Sequence, residues 1–132
     1  MNQHESRKVA MQAVFLANQD PELTAAEVEV KTVAMLDLEQ LSAYSKTLIE
    51  GVIANRDELK EALSKHLKNG WRLERVNPIA VAILEIALYE IQDSVEIEPK
   101  AAVNEALNLC DEFADPKVKP FINGMLANFV EK

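Results

Sequence analysis

The 132-residue sequence predicts an all-α fold, a compact bundle of about seven helices in two helical subdomains. Three observations carry this reading. Apolar residues recur at helical spacing along most of the chain, and no alternating strand pattern of useful length interrupts them. Hydrophobic residues make up 48% but aromatics only 5%, so the apolar content is mostly Ala, Leu, Val and Ile. Three Gly and five Pro leave few places for the tight turns of a sandwich or barrel. The length is enough for one domain with a real core. Two lobes can be drawn within it, about 1–70 and about 71–132, split near Gly70.

The first helix is predicted over Ser6–Asn18, with Val9, Ala10, Ala13, Val14, Leu16 and Ala17 on one broad stripe and Ser6 as N-cap. Asp20-Pro21 ends it, because proline biases the preceding residue away from helix. Thr24-Ala-Ala-Glu27 is a capping box, and the helix it starts runs to about Asp37. Ser42–Ala54 carries Tyr44, Leu48, Ile49, Val52 and Ile53 at helical spacing, with Gly51 allowing a close helix contact. Asp57–Leu67 follows, with Asn69-Gly70 as its stop. Trp71 and Leu73 are expected to plug a junction.

Asn77 caps the next helix and Pro78 suits its first turn. Ile79–Ile91 is apolar nearly all round, interrupted only by Glu85 and Glu90, so it should be the central strut. A polar connector, Gln92–Glu98, leads to two last helices near Lys100–Ala114 and Pro116–Val130.

The net charge of −8 excludes nucleic-acid binding by bulk charge. An RNA contact would need a local basic patch and would be sensitive to salt. The single cysteine, Cys110, cannot form an intramolecular disulfide, which is compatible with a reducing cytoplasm. No apolar run approaches the roughly 20 residues needed to span a bilayer, and the N-terminus lacks a signal-like apolar core. The chain reads as soluble and cytoplasmic, without a membrane partner.

Catalysis finds no support. His4 falls near the start of the chain and His66 on a charged helix face, both read as solvated. Cys110, among Leu107, Leu109 and Phe113, reads as a small buried hydrophobe without a neighbouring base. There is no phosphate loop, Cys-x-x-Cys or His-Glu-x-x-His. No catalytic residue, metal site or cofactor is predicted.

A binding role has more to work with. Arg7, Lys8 and Gln12 lie on the first helix, and Lys100, Lys117 and Lys119 sit around the loops of the last two. With Phe121 they combine phosphate contacts and an aromatic platform, as single-stranded RNA requires. Each lysine taken alone reads better as a solvated surface residue, and Phe121 reads equally as core filler. Asn104 and Glu105 either hold a buried hydrogen bond or meet a ligand. Asn123-Gly124 reads first as a place where two helices approach closely.

The same residues carry a family resemblance. Lys100-Ala-Ala-Val-Asn104-Glu105-Ala106, then Leu109, Phe113 and Phe121-Ile-Asn123-Gly124-Met-Leu126, resembles the C-terminal signature of the bacterial antitermination factors of the NusB family. Arg7-Lys-Val-Ala10-Met-Gln12-Ala13-Val-Phe15 resembles that family's first helix, and Ile83–Ile91 its central helix. Leu48–Val52 and His66–Trp71 also fit, so the likeness covers most of the chain.

The resemblance implies two helical subdomains, no catalysis and no cofactor. It implies binding of boxA-containing single-stranded RNA together with ribosomal protein NusE. The setting would be the RNA polymerase elongation complex with other Nus factors, serving processive transcription of ribosomal RNA operons. The alternative is a helical protein–protein interaction module with this fold and weak or no RNA binding. By the resemblance, Arg7, Lys8, Gln12 and Phe15 fall on an RNA-proximal first helix, and Lys100, Phe121 and Asn123 near an RNA-facing C-terminal region. The chain departs from the family pattern in its thin basic arm, in Phe15 where Tyr is frequent, and in Glu85 where a basic residue is usual.

Overall fold

The computed structural model describes residues 2–93 and 97–130. Part of the expected connector, residues 94–96, lies outside the described residues. The described residues form seven α-helices: α1 (Gln3–Gln19), α2 (Ala25–Met35), α3 (Ala43–Ala54), α4 (Arg56–Ser64), α5 (Pro78–Asp93), α6 (Pro99–Phe113) and α7 (Lys119–Ala127). Short 3-10 turns occupy Leu73–Arg75 and Pro116–Val118, and no strand occurs among the described residues.

α5 is the centre of the bundle. Asn77 Oδ1 accepts from the backbone N–H groups of Ile79 and Ala80 at 2.8 and 3.3 Å, so the expected cap is in place. Every residue from Ala80 to Leu88 is buried. α1, α3, α4, α6 and α7 all pack against this helix, as its lack of a polar face demands. Glu85 and Glu90 are drawn inside with it. The Thr24 capping box also forms, Thr24 Oγ1 accepting from Glu27 N–H at 3.1 Å and Glu27 Oε1 from Thr24 N–H at 3.0 Å. Cys110 is fully buried, as a small hydrophobe should be. Among the described residues no helix is long and apolar enough to cross a membrane.

Several local expectations are corrected. α1 starts earlier than Ser6, because Asn2 Oδ1 accepts from Glu5 N–H at 2.8 Å and caps the helix. Ser6 is instead buried against α3, its hydroxyl 2.7 Å from that of Ser42, while Ser45 Oγ donates to the Ser6 carbonyl at 2.9 Å. α4 ends at Ser64, and the chain then turns through to Gly70, which takes a left-handed φ of 87°. Trp71 does not plug a junction: it is 60% exposed, and Leu73 alone goes into the core. α7 stops at Ala127 because the Asn128 side-chain amide donates to the carbonyls of Gly124 and Met125 at 3.2 and 3.1 Å, satisfying groups a helix end leaves free.

The two helical glycines differ. A Cβ on Gly51 would run into the Tyr89 ring, so this glycine lets α3 approach α5 as expected. A Cβ on Gly124 would meet nothing within 4 Å, so the expected close packing at Asn123-Gly124 is absent. Urea denaturation should therefore separate them. Gly51→Ala is expected to cost about 1–3 kcal/mol through overpacking, a cost reduced in a Tyr89→Ala background. Gly124→Ala is expected to stabilise by up to about 1 kcal/mol through helix propensity. Equal effects at the two sites would refute the contrast.

Candidate nucleic-acid interface

The expected RNA-facing residues of α1 lie at a seam where α1 meets α3, α5 and α6. Arg7 does not point outward. It is 6% exposed, and its Nε donates to both carboxylate oxygens of Glu90 at 3.1 and 3.0 Å. Its Nη1 lies 3.6 Å from Glu105 Oε2, and its guanidinium stacks 5.4 Å from the Tyr44 ring centroid. The Tyr44 hydroxyl donates to the same Glu90 carboxylate. Burial pushes the Glu90 carboxyl above the usual range, against the opposing pull of the Tyr44 hydroxyl and Arg7. Direct RNA contact by Arg7 is thus set aside, since the guanidinium is spent inside the protein.

His4 is also not a solvated residue. The longer α1 carries it onto α6, with Nδ1 3.2 Å from Glu105 Oε2 and Nε2 3.2 Å from Glu112 Oε1. Both ring nitrogens can donate only in the protonated form. The Glu112 and Glu105 hydrogen bonds accordingly hold the His4 pKa above its ordinary value. The Glu112 carboxyl moves the other way, lowered first by His4 and then by Lys8.

One turn further, Lys8 reaches the C-terminal end of α6. Its Nζ lies 3.5 Å from Glu112 and 6.0 Å from the Phe113 ring centroid. Gln12 donates to the Lys8 carbonyl at 3.2 Å. Phe15 is half-buried and packs against the core. At the corner between α6 and α7, Lys119 pairs with Asp111 at 3.0 Å. Lys117 is exposed there, its N–H held by Asp115 Oδ1 at 2.9 Å. Lys8, Lys117 and Lys119 are therefore grouped around the C-terminal end of α6 and the α6–α7 turn, with Gln12 one turn further along α1.

The other expected residues are dispersed. Lys100 is exposed at the opposite, N-terminal end of α6, about 20 Å away along a 15-residue helix. Asn104 and Asn123 are exposed. Phe121 is half-buried on the α7 face that looks toward the 65–71 turn, where Phe121, Gly124 and Asn128 line one wall of a cleft and His66, Lys68 and Trp71 the other.

Sequence reading missed one further group. Glu85, 0% exposed, accepts from Asn18 Nδ2 at 2.6 Å and pairs with Lys60 Nζ at 3.1 Å. Lys60 also donates to Asn18 Oδ1 at 3.2 Å. The acid that departs from the family pattern thus has a cation opposite it on α4. Among the described residues, no group of three or more His, Cys, Asp or Glu is placed to hold a metal ion.

Two stability effects follow from the seam. Arg7→Ala leaves Glu90 buried without its cation and is expected to cost about 3–5 kcal/mol in urea denaturation. Adding Glu90→Gln should return part of this; a loss no larger than that of a surface lysine would mean the pair holds nothing. For His4, a raised folded-state pKa means that folding favours the protonated ring. Its contribution is complete below the ordinary His value of 6.5 and is lost as pH rises through the higher folded value. His4→Ala should therefore lower stability at about pH 6 and leave it nearly unchanged at about pH 9.

Comparison with known proteins agrees with this architecture. Residues 4–131 match the NusB family profile. Transcription antitermination protein NusB of Latilactobacillus sakei is 41% identical, the alignment covering 98% of this chain and 96% of that protein. Its namesake from Bacillus subtilis is 33% identical over 97% and 94%. Among solved structures, T. maritima NusB superposes with a TM-score of 0.82 at 19% identity, covering 98% of this chain and 90% of that one. A complex of antitermination factors NusB and NusE with double-stranded RNA gives 0.81 at 20% identity, over 98% and 97%. A profile match across nearly the whole sequence, with full-length relatives above 30% identity, establishes that the chain belongs to the NusB family.

Proposed function

We propose that this protein is a non-catalytic antitermination factor that binds boxA-containing single-stranded RNA together with NusE. It would act in the cytoplasm, within the RNA polymerase elongation complex and alongside other Nus factors, to keep transcription of ribosomal RNA operons processive. The observation that carries the reading is the gathering of Lys8, Lys117 and Lys119 at one corner of a body whose net charge is −8, with Gln12 one turn along α1. Phe121, on α7 beyond that corner, supplies an aromatic face, and cations beside an aromatic ring suit an unpaired strand. Asn123 and Lys100 extend the proposed surface, while Arg7 and Phe15 support it from within. The structural likeness to a NusB bound to NusE and double-stranded RNA supports NusE and RNA as the classes of partner. The acidic remainder complements a basic ribosomal protein.

A second reading has its own observation. Arg7 is buried, and Lys8 and Lys119 each face a carboxylate. Three of the five basic residues expected to meet RNA are thus engaged within the protein, which favours a protein-interaction module with weak RNA binding.

A gel-shift titration separates the two. The expected result is tight, sequence-selective binding of a boxA oligonucleotide with NusE present and weaker binding without it. Lys8→Ala with Lys117→Ala should weaken binding and reduce the salt slope by about 0.7 for each phosphate no longer neutralised. Equal, weak binding of boxA and scrambled RNA with and without NusE would eliminate the main reading.

A further inference from the structure

The cleft between α7 and the 65–71 turn combines exposed residues, Trp71 among them, with the half-buried Phe121. Its volume is about 430 Å³. The turn is fixed from both sides: Trp71 N–H donates to the Lys68 carbonyl at 3.0 Å, and Gly70 supplies the left-handed φ. Trp71 is thereby held 60% exposed, the largest aromatic side chain in the protein left mostly outside the core. Phe121 lines the same cleft. The His66 ring is braced edge-on against Phe129, with centroids 5.0 Å apart and planes at 83°. Gly124 contributes no side chain, which keeps the wall between the rings open.

Charge decides which occupant suits this cleft. Between residues 65 and 75 the sequence carries Lys65, Lys68, Arg72 and Arg75 against the single acid Glu74, in a chain of net charge −8. Of these only Lys68 lines the cleft itself, and neither an Asp nor a Glu lines it, so its lining is locally cationic on an acidic body. A second copy of this acidic chain is a poor match for the body around it, whereas a phosphodiester strand meets attraction at Lys68. Its unpaired bases offer π-faces to exposed rings.

We propose that this cleft is a stacking site for an unpaired nucleobase, with Trp71 and Phe121 as the aromatic walls and Lys68 meeting the adjoining phosphate. The proposal rests on the RNA-binding reading above. It adds Trp71, His66 and Lys68 to the surface and extends the path of the strand from the α6–α7 corner along α7.

Trp71 is the only tryptophan in the sequence, so its emission reports on the cleft directly. The probe is a fluorescein-labelled 12-nucleotide boxA RNA, titrated with and without NusE, with anisotropy reading binding and tryptophan emission reading stacking. NusE is also titrated alone. Emission is expected to be quenched with the same midpoint as the anisotropy change. Trp71→Ala should weaken binding about tenfold, Trp71→Phe far less, and Gly124→Leu, which fills the open wall, should act like Trp71→Ala. Circular dichroism checks that each variant is folded. Binding by anisotropy with unchanged emission and wild-type affinity for Trp71→Ala overturns the stacking site and leaves RNA binding standing. Absence of any anisotropy change, with or without NusE, overturns both. Quenching by NusE alone, with no further change on adding RNA, assigns the cleft to the protein partner and also overturns the proposal.

Discussion

Two carboxylates inside the most apolar helix constrain how the bundle is assembled. Glu85 and Glu90 are 0% and 1% exposed on α5, and a buried charge must be paired or it destabilises the fold severely. Five residues at 3.6 per turn place them about 140° apart around the helix. One takes Lys60 from α4, the other Arg7 from α1. The two pairs thus fix α5 against neighbours on different sides. Apolar packing alone would tolerate rotation of a helix that is hydrophobic all round; two directional contacts do not. Burial holds the Glu90 carboxyl above its usual range against the opposing pull of Tyr44 and Arg7, and removing Arg7 would leave that acid buried without its cation.

This constraint reaches the surface through α1. Arg7 is pulled inward, and the turn before it brings His4 onto Glu105 and Glu112. Lys8, one residue on, is left to share Glu112. A sequence stretch that reads as a short basic arm is consequently a helix-to-helix clamp. Only its outer edge contributes to the proposed RNA surface. The cost of holding α1, α5 and α6 in register is that a good part of the N-terminal positive charge is neutralised.

Which features were legible in the sequence depends on the range of the interactions that set them. The Thr24 capping box, the Asn77 cap and the central position of α5 are decided by neighbours within a few residues or by helical periodicity, and all are as expected. The Gly51 contact was legible because a glycine inside an apolar stripe has few other uses. Ser6, His4 and Arg7 were misplaced because their partners, Ser42, Glu105 and Glu90, stand 36, 101 and 83 residues away. Trp71 and Gly124 were misread because large apolar and small residues ordinarily serve packing. Their exposure is set by where the 65–71 turn and α7 come to lie, which no local pattern encodes. The Lys60–Glu85 pair had a faint signal: an acid in an otherwise apolar helix demands a cation, though nothing local says which.

Recognition in this protein is therefore constrained by the way its charge is used. With a net charge of −8 and its N-terminal cations largely paired, the chain has little long-range attraction for a polyanion. Electrostatics that survive at the 65–75 turn and the α6–α7 corner act at short range, within about one Debye length. Short-range contacts orient a strand already brought close but do little to collect one from solution. A basic partner protein would remedy that deficit, seating on the acidic body and delivering RNA to surfaces whose own contribution is aromatic contact and register. On this argument the proposed dependence on a partner follows from the net charge, and the inward turn of Arg7 onto Glu90 adds to it.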